Sequence, residues 1–180
     1  MLELITGIGI IGLYLLCILA VFSRLRRNQW TLSASLALSI PSTQATYSVI
    51  FQLRFLTQTP IVGGLLSLLF IAWSLYELSS QRQALKKDCL TFISRASNAP
   101  WIFIPLLLCA AYTLVQVTLL TPLNVDALTY HLPRVWLFIQ NNTFFLEHFT
   151  SYREVIFPVG ADILFYPFLA LKTTAGLGIF

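Results

Sequence analysis

Residues 2–23, 61–79, 101–121 and 157–178 are each mainly apolar with few charges. Each is about as long as the 20 residues a helix needs to cross the hydrocarbon core of a bilayer. In lipid every backbone N–H and C=O must be satisfied by the chain itself, so only helices and closed barrels can cross. These windows are Leu- and Ile-rich runs without the alternation of barrel strands. The expected fold class is therefore all-α, a polytopic transmembrane helical protein. Composition agrees, because only 10% of the 180 residues are charged and 57% are hydrophobic, where a soluble domain carries roughly 25% charge.

The basic residues set the expected topology. Arg24, Arg26 and Arg27 follow the first apolar run, the reverse of a secretory signal peptide, which reads as an uncleaved first span with its N-terminus outside. Arg82, Lys86, Lys87 and Arg95 form a second basic loop, and the positive-inside rule puts both clusters on the cytoplasmic side. Two loops on one side require an even number of crossings between them, so the Ser/Thr-rich region 31–53 is expected to span despite Pro41, its freed groups met by neighbouring helices or local back-bonding. With Lys172 at an inner helix end and Arg54, Arg134 and Arg153 outside, the reading is about five spans. The net charge of +4 thus reports membrane side, and without aromatic interleaving it is no nucleic-acid signature. Cys17, Cys89 and Cys109 show no pairing or metal spacing and are assigned to packing.

The segment 122–162 is the exception to this lipid-like composition. Asp126, Glu147, Glu154 and Asp162, four of the seven acidic residues, lie there with both histidines, His131 and His148. Ionisable groups gathered in a membrane protein mark a functional site. Leu128, Leu132, Val135, Trp136 and Ile139 follow the spacing of one helical stripe, which suits a helix lying in the bilayer interface. Four-residue spacing places Asp126, Tyr130 and Arg134 on the roughly opposite face, beside His131. Pro133 is expected to start a helical turn. The plain alternative makes Asp126 a helix N-cap and Tyr130 and Arg134 interfacial anchors. Asp162 sits several residues into the last apolar run, where a carboxylate is costly unless paired or at the water boundary.

Asp126, Tyr130, His131, Pro133, Arg134, Val135 and Trp136, then Gln140 and Asn141, then Arg153, and finally Pro158, Gly160, Ala161 and Asp162 resemble the first external loop of the GT-C superfamily of polytopic membrane glycosyltransferases. The similarity is greatest to its bacterial aminoarabinose-transferase-like and protein-mannosyltransferase-like members, and it covers about residues 101–170. It implies an enzyme that passes a sugar from a polyprenyl-phosphate carrier to an acceptor on the external face of a bacterial inner membrane. It makes Asp126 the catalytic carboxylate, which orients the acceptor hydroxyl or takes its proton. Tyr130, His131, Arg134, Arg153, Glu154 and Asp162 become substrate-binding candidates, the arginines as donors to the departing phosphate. The regions implied are 1–100, with three spans and a basic cytoplasmic loop, and 101–180, with a first core span, an external loop over 122–156 and a following span. Two departures stand out: relatives usually have one span before this loop and many after, so the chain reads as the N-terminal portion of a larger enzyme, and Asp162 stands where a glutamate is expected.

The expected partners are a lipid-linked sugar donor and the bilayer, with no nucleic acid. No cofactor is assigned. A divalent metal ion stays open as an alternative, since Asp126, His131, His148, Glu154 and Asp162 could supply ligands, but no close metal-ligand spacing occurs and no metal site is assigned. Two other readings compete: a transporter or channel subunit whose carboxylates bind ions or protons, and a non-catalytic small membrane protein.

Overall fold

The structure, a computed structural model, describes residues 2–119, 131–144 and 162–175. The apolar windows near the N-terminus become long helices: α1 (Leu2–Arg27), α2 (Leu32–Leu56) and α3 (Pro60–Ser80). After them come α4 (Arg82–Asn98), α5 (Pro100–Leu119), α6 (Leu132–Asn141), a 3-10 turn (Asp162–Phe165) and α7 (Tyr166–Ala170). No strand occurs among the described residues. Among these residues, α1 and α3 are long and apolar enough to cross a membrane, and α4 with α5 qualifies only as one pair bent by 113°. The described residues are therefore all-helical, with two or three helices among them compatible with a membrane.

Short connections fold α1, α2 and α3 into an up-down-up bundle. Thr31 starts α2 by accepting the Ala34 N–H on its Oγ1 at 3.3 Å, and Pro60 opens α3 in the first turn, where its missing N–H costs nothing. Pro41 sits inside α2. Around it the hydroxyls of Ser39, Thr43 and Thr46 donate back to the carbonyls of Leu36, Ser39 and Ser42 at 3.0, 2.8 and 2.9 Å, the back-bonding expected of hydroxyl residues in an apolar helix.

The buried face of α2 has a four-residue period. It runs Ser35, Ser39, Thr43, Tyr47, Phe51, Phe55, so small hydroxyl residues occupy one half and aromatics the other. Small side chains allow helices to approach closely where burial from water supplies no driving force. At the middle layer the Tyr14 and Tyr47 ring centroids are 4.5 Å apart, Cys17 Sγ lies 3.3 Å from the Tyr47 hydroxyl, and Ser74 Oγ is 3.4 Å from Cys17 Sγ. Cys17 thus packs as expected and also joins a polar contact, whereas Cys89 and Cys109 are exposed.

The two ends of the bundle differ. One carries the C-terminus of α1, where Arg24 and Arg27 lie 3.8 and 3.6 Å from Glu77 Oε2 of α3, and where Arg26 holds Asp88 of α4. Glu77 is only 1% exposed, a buried carboxylate that the sequence reading passed over. The other end carries α6, the 3-10 turn and α7. There Asn142 Nδ2 donates to the Gln58 carbonyl and Thr173 Oγ1 donates to the Glu3 carbonyl at 2.8 Å.

The last apolar window differs from expectation. Over its described residues 162–175 the chain is a four-residue 3-10 turn, a five-residue helix and a reversal at Lys172, whose φ is 53°. It forms no spanning helix there. Hydropathy counts side chains and does not register that Pro167 lacks the N–H needed to continue one helix. Lys172 consequently lies near the N-terminus of α1, where Thr173 meets Glu3 and Gly7 faces Ala175 too closely to carry a side chain. That is the end opposite the arginine cluster, with which Lys172 was expected to share a side.

Cysteines placed at Gln83 on α4 and Asn141 on α6 are expected to react with an impermeant thiol reagent from opposite sides of sealed vesicles. Labelling of both from the same side would contradict the arrangement of the two ends.

Candidate functional site

The site is built where α6 meets the 3-10 turn. Pro133 lies in the first turn of α6, as its fixed φ favours, and His131 immediately precedes the helix in a helical conformation, φ −68° and ψ −54°. His131 and Arg134, three residues apart, therefore project to one side. The 3-10 turn presents Asp162 to both. His131 Nδ1 is 2.6 Å from Asp162 Oδ1 and Arg134 Nη1 is 2.9 Å from Asp162 Oδ2.

Exposure separates the three roles. The Arg134 side chain is fully buried, Asp162 is 3% exposed and His131 is 31% exposed. Burial pushes the Asp162 carboxyl above its ordinary range, and His131 and Arg134 pull it back only in part. A carboxylate accepting from Nδ1 fixes the imidazole tautomer with its lone pair on Nε2 and holds the ring in place. The arrangement is a positioned histidine at a surface, backed by a carboxylate and a buried cation.

The helical stripe is correct in part. Val135 and Phe138 are buried, with Leu132 and Ile139 partly so, and Trp136 is 36% exposed. Arg134, expected on the face opposite this stripe, is buried beside Val135. The reason is Asp162, which supplies the opposite charge a buried guanidinium requires.

Beneath this group lies a cation that the sequence reading treated only as topology. Arg54, in the last turn of α2, is 5% exposed. Its Nε donates to the Tyr166 hydroxyl at 3.2 Å, and its guanidinium lies 4.1 Å from the centroid of the Phe55 ring and 5.3 Å from that of Tyr166, within cation–π range. Its aromatic neighbours in sequence, Phe51 and Phe55, were the available signal. Gly63 of α3 packs against it so closely that an added Cβ would stand 2.6 Å from Arg54 Cβ.

Of the residues read from the sequence, His131, Arg134 and Asp162 come together, while Asp126, Tyr130, Arg153 and Glu154 lie outside the described residues. Among the described residues no three His, Cys, Asp or Glu side chains converge as a metal site. No protein-family model, curated protein or solved structure matches the chain. The class defined by fold and site is thus a protein whose described residues are all-helical, with apolar helices compatible with a membrane and, at one end, a part-exposed histidine backed by a buried Asp–Arg pair.

Proposed function

We propose that this protein is a membrane glycosyltransferase that moves a sugar from a polyprenyl-phosphate donor to an acceptor at the α6 end of the bundle. The observation that carries the reading is the convergence of His131, Arg134 and Asp162. These residues were singled out by their likeness to a glycosyltransferase loop, and residues 31 apart in sequence meet in one group. In this reading α2 and α5 are also spans. Since α4 and α6 sit at opposite ends of the bundle, the chain between them has to traverse its length.

Asp126 is the catalytic carboxylate. It accepts the proton of the acceptor hydroxyl as the new glycosidic bond forms and the polyprenyl phosphate departs as an anion. His131, the exposed member of its group, binds substrate through the Nε2 lone pair, which accepts a hydrogen bond from a sugar or acceptor hydroxyl. Arg134 and Asp162 are buried and act through His131 as positioning residues, which leaves Arg153 as the arginine for direct contact with the anion. The donor and the bilayer are the partners, and the active end faces the exterior.

The test uses the full-length protein in membranes supplied with a labelled pool of polyprenyl-phosphate-linked sugars. The wild type is expected to transfer label to an acceptor. His131→Gln is expected to lower the rate by about 10²-fold with an unchanged thermal midpoint. Absence of donor consumption by the wild type would overturn the function, and a full rate in His131→Gln would remove the histidine from it.

A further inference from the structure

We propose that α4 is an interfacial helix that binds the anionic lipids of the leaflet at the arginine-rich end. None of its 17 residues is buried, although the helix is amphipathic. Leu85, Cys89, Phe92 and Ala96 follow one stripe at helical spacing, with Ile93 beside it. Phe92 and Ile93 are 43 and 60% exposed. The opposite face carries Lys86, Lys87 and Arg95 with the polar side chains of Gln83, Thr91 and Ser94, which line one open groove together with Leu90.

Charge selects the occupant. Asp88 is the sole carboxylate of α4, and Arg26 of α1 engages both its oxygens at 2.8 and 3.0 Å, which holds the carboxyl below its usual range. Arg82, Lys86, Lys87 and Arg95 are left without an ion-pair partner among the described residues. Four unpaired cations flanking an apolar stripe match an acyl boundary beneath phosphate headgroups. Geometry fits as well. The 113° bend at Ala99 sets α5 nearly perpendicular to α4, so α5 along the bilayer normal lays α4 close to the bilayer plane. A span running through α4 would instead bury its five charged residues in hydrocarbon, at a cost no pairing here offsets.

The experiment uses the full chain in nanodiscs. With Cys109→Ser, a nitroxide on Cys89 reports the apolar stripe. With Cys89→Ser, Cys109→Ser and Ser94→Cys, it reports the groove. The first label is expected to favour oxygen over a water-soluble nickel relaxant, and the second the reverse. Spin-labelled phosphatidylglycerol should associate at least about fivefold more than phosphatidylcholine. That preference should vanish in Lys86→Gln/Lys87→Gln/Arg95→Gln and in 0.5 M salt, the salt arm being independent of any effect of substitution on folding. Equal association of the two lipids, or nickel access to both labels, would overturn the proposal. Either outcome is separable from the sugar-transfer reading, which takes only topology from α4 and places none of its residues in the site.

Discussion

Asp162→Asn is expected to destabilise the protein by about 3–5 kcal/mol, seen as a lower unfolding midpoint in detergent or nanodiscs. The substitution nearly preserves volume, removes the charge and turns one acceptor oxygen into an amide donor. Arg134, fully buried, then loses the negative charge of the carboxylate now 2.9 Å away, and weakening the pairing of a buried charge is among the costliest changes a fold can suffer. His131→Ala should cost only about 1 kcal/mol, because its ring is 31% exposed and water replaces part of what it loses. The ordering is the test. Equal losses at the two positions would show that Arg134 does not depend on Asp162.

Phe55→Ala is the second large effect, also about 3–5 kcal/mol. Phe55 has no exposed surface and joins the bundle to the site. Its ring centroid is 5.7 Å from that of Phe138, 5.1 Å from Phe144 and 5.2 Å from Tyr166. Truncation opens a cavity among all three and removes the ring over which Arg54 lies. Hydrogen exchange should accelerate in α6 and α7, which dock through this cluster, more than in the Tyr14–Tyr47 layer of the bundle. Val49→Ala, on the exposed side of the same helix, serves as control with an effect within about 0.5 kcal/mol. Uniform acceleration across the whole chain would contradict the assignment of Phe55 to the joint.

Much of the architecture is legible in the sequence because lipid leaves a backbone few options. The Leu- and Ile-rich windows become α1, α3 and α5, and the Ser/Thr-rich region 31–53 is helical as α2. The same reasoning misreads residues 162–175 of the last window, because an average over a window does not resolve the polar anchor at Asp162, the proline at 167 or the turn at Lys172. At the site, the gathering of charge identifies His131, Arg134 and Asp162, yet no local pattern states that the first two meet the third. Arg134 looks outward by helical spacing and is drawn inward by a carboxylate brought from a distant turn. Arg54 and Glu77 escape for a related reason: each sits in an apolar helix, and its burial depends on neighbours that only the tertiary structure supplies.

We propose that sugar transfer at this end of the bundle runs through Asp126. It is tested most directly by comparing wild type and Asp126→Asn at equal membrane insertion, with transfer from a polyprenyl-phosphate-linked sugar measured in the same vesicles. A loss of about 10²–10⁴-fold is expected in the variant, with insertion and thermal midpoint unchanged. Transfer at the wild-type rate by Asp126→Asn would contradict it.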